Sequence, residues 1–424
     1  MSKLVPEPSN PNPKQPTFVM RLLKWLAGLA LLGIIGIFVL LAALRIDHNT
    51  AVTLPTPSGP FPVGRVIYDW TDDQAFDALA PVPGTKREVS VWIWYPAQTG
   101  LAAPVDDYMP AALRTAIDRW RGSLMTKFLT RDLSKVRPHA LHKAEVSPEL
   151  PSYPVVVMRA GASLEVVNYT SLAEDLASHG YIVVGIDAPY RTGVVAFPDG
   201  RVLERRPENN PELCLEKTGR EQTACINKIL TAWTDDIGFV IDQLTRLNAS
   251  DESGRFVGRL DMTRVGIFGH SFGGAQAAQF CSQDSRCKAG IDIDGAPVGS
   301  VIQSGIHQPF MFLLSAQVGL SDEESKQVKA DIQAIYDRLP PDGRLFVEIA
   351  GANHFTFNDD GALLKSGIVL RALRLFGVLR IKGARQLAVT SFCLHSFFDA
   401  YLKGEGVRPL KITSPQFHEV KVLE

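Results

Sequence analysis

Apolar positions along this chain form runs of three kinds. One is unbroken: residues 25–44 carry no charge and consist largely of Leu, Ile, Ala and Gly. At about 20 residues such a run can cross a hydrocarbon core as a helix. A second kind is short, continuous and rich in β-branched residues. Segments 153–158, 181–187, 265–268, 289–294, 309–314 and 344–350 are of this kind, and they read as strands buried on both faces, with 344–350 the last. The third kind is periodic. Residues 169–179, ended by Gly180, place Leu172, Ala173 and Leu176 on one helical face. Residues 233–247 do the same with Ile237, Val240, Ile241 and Leu244, and 325–339 is another helix. Residues 87–95 alternate and predict an antiparallel strand. Buried strands alternating with helices predict an α/β fold with a mostly parallel central sheet and helices on both faces.

The flanks complete this organisation. Residues 1–17 are rich in Pro, Asn, Ser and Lys and read as a disordered tail. Residues 18–45 read as a transmembrane signal anchor, 46–60 as a linker, and 61–424 as the α/β domain. Lys14, Arg21 and Lys24 precede the apolar run, whereas only Arg45, offset by Asp47, closely follows it. That bias puts the N-terminus in the cytoplasm and the domain outside. Cleavage of the run as a signal peptide, giving a secreted domain, is the competing reading; the run is long for that and lacks a good small-residue cleavage site. Residues 188–230 are polar, contain Pro198, Pro207 and Pro211, and interrupt the strand–helix rhythm as a cap-like insertion. Cys214 and Cys225 bracket one polar loop and Cys281 and Cys287 another, which predicts two local disulfides in an oxidising compartment. Cys393 lies in an apolar helical run as a buried thiol. A net charge of −1 gives no basic field for nucleic acid, and no cysteine spacing resembles a zinc site.

The chemistry concentrates around Ser271. Gly269-His270-Ser271-Phe272-Gly273 fits G-x-S-x-G, between a buried strand and a small-residue helix. That is the setting of a nucleophile elbow, so the fold class becomes an α/β-hydrolase fold. The Phe272 N–H, at the helix start, points where an oxyanion would form. A serine nucleophile needs a base and an orienting carboxylate, in the order Ser, acid, His. His354 follows the strand at 344–350 directly, unlike His307, His395 and His418, and is the candidate base. His270 reads as a packing residue of the elbow. Asp292 and Asp294 share one face at a strand end, with Asp294 nearer the C-terminal edge; Asp322 is the further alternative.

These residues resemble the platelet-activating factor acetylhydrolase family. The match rests on Gly269-His270-Ser271-Phe272-Gly273-Gly274, on Asp294 at 23 positions beyond Ser271 (294 − 271), and on Gly351-Ala352-Asn353-His354. Trp94-Tyr95-Pro96 and Asp175-Leu176-Ala177-Ser178-His179-Gly180-Tyr181-Ile182-Val183 add to it. The resemblance implies Asp294 as the acid and no metal or organic cofactor. It also implies a second oxyanion donor, the N–H after a His-Gly pair. Here that pair is Ala160-Gly161, a departure at the His, and Ala162 inherits the role.

The expected activity is hydrolysis of carboxylic esters, short-acyl lipids or small exported esters, by a membrane-tethered serine hydrolase through an acyl-enzyme on Ser271. Two alternatives remain open: an acyltransferase or peptidase on the same fold, and a non-catalytic membrane-anchored binding protein. Residues 363–382 combine Leu, Ile, Val and Phe with Lys365, Arg371, Arg374, Arg380 and Lys382, and suggest a second membrane contact.

Overall fold

The structure is a computed structural model, and it describes residues 17–98, 100, 103–317, 322–405 and 412–423. Ten strands form the main sheet: β1 (Val63–Phe76), β2 (Lys86–Pro96), β3 (Leu141–His142), β4 (Tyr153–Arg159), β5 (Ile182–Asp187), β6 (Leu260–His270), β7 (Cys287–Ile293), β8 (Phe310–Gln317), β9 (Arg344–Asn353) and β10 (Val420–Leu423). Their order across the sheet is β10-β9-β8-β7-β6-β4-β5-β2-β1-β3. The block β9-β8-β7-β6-β4-β5 is parallel throughout, and β2 and β10 join it antiparallel. The fold is an α/β-hydrolase fold.

Strand alternation divides the core in two. Val156 and Met158 of β4 pack on one face with Leu172 and Leu176 of the helix Thr170–Ser178 and with Leu394 and Phe398 of the helix Gly383–Phe398. Val155 and Val157 point to the other face, against Ile237 and Val240 of the helix Gly219–Ala249 and Ile332 of the helix Asp322–Tyr336. Because both faces are covered, the central strands are apolar over most of their length, with charged residues such as Arg159 and Asp187 at their C-terminal ends.

Several expectations change. The helix expected at 233–247 begins at Gly219, because its first turns are polar and solvent-facing and carry little apolar periodicity. Residues 188–230 therefore hold a hairpin (Val194–Ala196 with Val202–Glu204), the short helix Pro211–Leu215 and the start of that long helix. The strand at 344–350 is not the last, since β10 pairs beyond it. β1, unforeseen, pairs with β2 along its length. The helix expected at 325–339 runs Asp322–Tyr336. Residues 46–60 are no free linker. The N-terminal helix runs Phe18–His48, Val52–Thr53 pairs with Val136–Arg137, and the Ser58 N–H donates to Asp175 Oδ1 at 2.9 Å. The segment 363–382 is broken at its two glycines, as their helix-weakening character suggests: Gly367 opens the helix Gly367–Leu375, and Gly377, at φ +73°, turns the chain away. Of the expected tail, residues 1–16 lie outside the described residues.

Both expected disulfides are present, Cys214–Cys225 and Cys281–Cys287, and Cys393 is a buried thiol. The helix Phe18–His48 is long and apolar enough to cross a membrane.

Candidate active site

β6 ends at His270 and the helix Phe272–Gln283 starts two residues later, so Ser271 must turn the chain alone. It does so at φ 58° and ψ −126°, a strained conformation for a residue with a side chain. The turn closes because two glycines let backbones touch. A Cβ on Gly269 would lie 2.1 Å from the Gly273 carbonyl oxygen, and one on Gly273 2.4 Å from that of Arg159. The Ser271 N–H donates to the Ile293 carbonyl at 2.8 Å, tying the elbow to β7.

The structure brings Ser271, His354 and Asp294 into one line. His354 Nε2 lies 3.1 Å from Ser271 Oγ, and His354 Nδ1 lies 2.8 Å from Asp294 Oδ2. A carboxylate only accepts, so Nδ1 carries the ring proton and Nε2 is left to accept from the serine hydroxyl. Asp294 is buried and also accepts from the Ser315 N–H at 2.7 Å and the Ser315 hydroxyl at 2.8 Å. Burial acts to raise its carboxyl, but the bonds from His354 and Ser315 outweigh it and hold the group below the usual carboxylate range.

Asp292 and Asp294 do not share a surroundings, although strand alternation predicted one face for both. β7 stops at Ile293, and Asp294 adopts φ 54°, which swings its side chain to His354. Asp292 stays fully buried beneath the elbow and accepts from the Gly295 N–H at 2.8 Å. Burial first, and then the charge of Asp294, push its carboxyl up to about 8. Asp322 opens the helix Asp322–Tyr336, and its side chain lies outside the described residues.

Phe272 begins its helix, so its N–H has no acceptor within that helix. Ala162 lies in the turn after β4, closed by the Leu164 N–H donating to the Gly161 carbonyl at 3.1 Å. A Cβ on Gly161 would be 3.3 Å from Ser271 Cβ, so this turn lies against the candidate nucleophile. Ser163, at φ 70°, accepts a hydrogen bond from Arg205 of the insertion. The insertion also reaches Phe272: Leu79, Cys214, Ile226, Ile229 and Trp233 form a small core on which the Phe272 ring packs, edge-on to Trp233 at 5.3 Å. Ser315, Tyr169 and Arg205 escaped the sequence reading. Only Ser315 left a signal, as the polar residue closing an apolar strand.

Volume alone points elsewhere. A cavity of about 630 Å³ lined by Arg87, Asp235, Asp242 and Arg286 shares no residue with this site, and its walls are charged and open to water. Asp175, His179 and His395 bring possible ligand atoms within 4.8 Å of one another. The two imidazoles, however, stack at 4.1 Å with planes 10° apart. Nitrogen lone pairs lie in the ring plane, so rings stacked in this way do not converge on one ion.

The family model described as platelet-activating factor acetylhydrolase, isoform II, matches residues 46–397. A probable 1-alkyl-2-acetylglycerophosphocholine esterase of Arthroderma benhamiae is 25% identical over 90% of this chain and 96% of its own length. The platelet-activating factor acetylhydrolase of Cavia porcellus is 24% identical over 72% of this chain and 69% of its own. A ferulic acid esterase from Streptomyces cinnamoneus superposes with a TM-score of 0.67 at 25% identity, covering 88% of this chain and 100% of that one.

Proposed function

The chain belongs to the platelet-activating factor acetylhydrolase, isoform II, family and is a carboxylic ester hydrolase, and from that premise we propose that Ser271, His354 and Asp294 perform the hydrolysis through an acyl-enzyme. The observation that carries this reading is the unbroken hydrogen-bonded line from Ser271 Oγ through His354 to Asp294. Ser271 Oγ attacks the ester carbonyl as His354 Nε2 takes its proton, and Asp294 stabilises the imidazolium that results. The N–H groups of Phe272 and Ala162 receive the oxyanion, worth about 3 kcal/mol for each effective donor. His354 returns the proton to the departing alcohol. It then takes one from the water that cleaves the acyl-enzyme.

The substrate is a short-acyl glycerophospholipid or a small ester of similar size. Support comes from the relatives' names, one of which specifies a 1-alkyl-2-acetylglycerophosphocholine ester and the other an acetylhydrolase. The enzyme is tethered by the helix Phe18–His48 with its catalytic domain outside the cytoplasm. The cationic bias of Arg21 and Lys24 ahead of the apolar run and the two disulfides support that topology.

The test is fluorophosphonate labelling of the detergent-solubilised protein beside its Ser271→Ala variant, with turnover of p-nitrophenyl esters of rising chain length. Labelling lost only in the variant, with turnover falling as the acyl chain grows, fits the proposal. A variant that labels like wild type removes Ser271 from the mechanism.

A further inference from the structure

We infer that Tyr169 and His270 are positioning residues, a buried strut that ties the turn carrying Ala162 to the segment carrying His354. This rests on the roles proposed above for Ser271, His354 and Ala162.

Hydrogen-bond chemistry orders the strut completely. His270 Nε2 lies 2.9 Å from the main-chain carbonyl oxygen of His354, and a carbonyl only accepts, so Nε2 carries a proton. His270 is buried. Burial first, and then the neighbouring His354, push its pKa down to about 3, so the ring is neutral and Nδ1 keeps its lone pair. The Tyr169 hydroxyl, 2.8 Å away, therefore donates to Nδ1. Its oxygen in turn accepts the Gly161 N–H at 3.1 Å. Each atom has one permitted role, and the donors run Gly161, Tyr169, His270 toward the His354 carbonyl.

The two ends of the strut are the two places where the reaction needs precision. At one end Gly161 is held from both sides. Tyr169 takes its N–H, while its carbonyl accepts the Leu164 N–H. That carbonyl belongs to the same rigid peptide plane as the Ala162 N–H, so holding it fixes where the proposed oxyanion donor points. Ala160, just before, has no polar side chain with which to brace the turn. At the other end the His354 carbonyl is pinned, which limits how far the imidazole can drift from Ser271. The His270 and His354 rings lie 4.7 Å apart, so a neutral His270 also avoids opposing the positive charge that His354 takes up.

The test uses the full-length protein in detergent with Tyr169→Phe, His270→Phe and His270→Gln. Tyr169→Phe removes the donor to Nδ1 and the acceptor for Gly161, and His270→Phe removes both ring partners. Each should lower kcat for p-nitrophenyl acetate roughly 10- to 100-fold with KM changed less than about threefold, since the fault is misaimed groups rather than lost binding. A glutamine amide can donate to the His354 carbonyl and accept from Tyr169, so His270→Gln should recover about tenfold over His270→Phe. Tyr169→Phe within twofold of wild type, or no recovery by glutamine, overturns the inference. A separate readout needs neither variant nor turnover: ¹⁵N-histidine NMR of the wild type should show one buried neutral ring protonated at Nε2 with Nδ1 accepting. A His270 protonated at Nδ1 overturns the strut. Wild type that neither turns over esters nor takes the probe defeats the hydrolase mechanism instead, and the NMR result then judges the strut alone.

Discussion

Ser271 sits in a backbone conformation that costs on the order of 1–3 kcal/mol, held because β6, β7 and the following helix leave it no other path. The reaction proposed for it demands that Ser271→Ala and His354→Ala each reduce ester turnover by at least about 10³-fold. Asp294→Asn should cost about as much or less, and steady-state kinetics with a short p-nitrophenyl ester decides it. Asp292 gives a different prediction, about stability. Its carboxyl is pushed up to about 8 from an ordinary 3.8, so between those values the folded protein keeps a proton that the unfolded chain has released. Stability contributed by this group is therefore complete below about pH 4 and declines as pH rises toward 8. Asparagine cannot ionise, so the thermal midpoint of Asp292→Asn relative to wild type should rise between pH 5 and pH 8; a constant difference contradicts the assignment. Asp294, held low, contributes in the opposite sense and loses its stabilisation in acid, but it cancels in this comparison. The pair also shows where sequence reading stops. Ser271 and His354 were legible because a glycine pattern and a strand end bracket them. Asp292 and Asp294 are two residues apart, and only the positive φ at Asp294 separates their surroundings. His270 read as packing for a similar reason: its partners, Tyr169 and a main-chain carbonyl, leave no local pattern.

At the level of elements, the site depends on how the insertion is fastened to the sheet. Arg191, fully buried at the start of the insertion, donates to both oxygens of Asp236 on the helix Gly219–Ala249, at 2.9 and 2.7 Å. It also donates to Asp77, after β1, at 2.7 Å. Arg159, at the end of β4, donates to Gln276 on the elbow helix at 2.7 Å and stacks on Trp233 at 5.1 Å, and Trp233 in turn packs on Phe272. A buried cationic network thus runs from the insertion to the first residue after the nucleophile. Breaking it by Arg191→Met leaves Asp236 and Asp77 as poorly compensated buried charges. The loss should be about 3–5 kcal/mol, read as a fall in the denaturation midpoint, with fluorophosphonate labelling slowed in protein that remains folded. A loss under about 1 kcal/mol would mean that these carboxylates take up protons or water instead. The network was invisible in sequence because its members are distant in the chain and each looks like a surface charge. Elements with strong periodicity were found as helices, though their bounds moved where the periodicity fades, as at Gly219. β1 was missed because its outer half, through Asp72, Asp73 and Gln74, is polar on both faces.

The whole molecule is organised by the way the N-terminal helix meets the domain. At 31 residues that helix is about 46 Å long, well beyond the hydrocarbon thickness of about 30 Å. Its end is bolted down. Asp47 pairs with Arg131 at 2.7 Å and accepts from the Ser366 hydroxyl and the Gly367 N–H, both at 2.7 Å, while His48 Nδ1 meets the Thr130 carbonyl at 2.7 Å. With that helix as the membrane tether proposed above, a domain fastened to its end in this way would hold the surfaces around the mounting point beside lipid. Among the described residues, those surfaces carry exposed apolar side chains. Leu124 and Met125 lie next to the anchor's end, and Leu375 and Phe376, 83% and 79% exposed, close the helix that Asp47 caps. Arg371 and Arg374 are exposed on the same helix, and cations there would suit anionic headgroups. A protein lacking residues 1–45 but keeping Asp47 and His48 should therefore still bind anionic liposomes at low salt. Leu375→Asp with Phe376→Asp should weaken that binding at least tenfold, about 1.4 kcal/mol, and Arg371→Gln with Arg374→Gln should weaken it and flatten its dependence on salt. The measurement is liposome co-sedimentation of protein that still reacts with the fluorophosphonate probe. If such folded, reactive protein stays in the supernatant, the N-terminal helix is the only anchor, and substrate must reach Ser271 from solution rather than from the membrane surface.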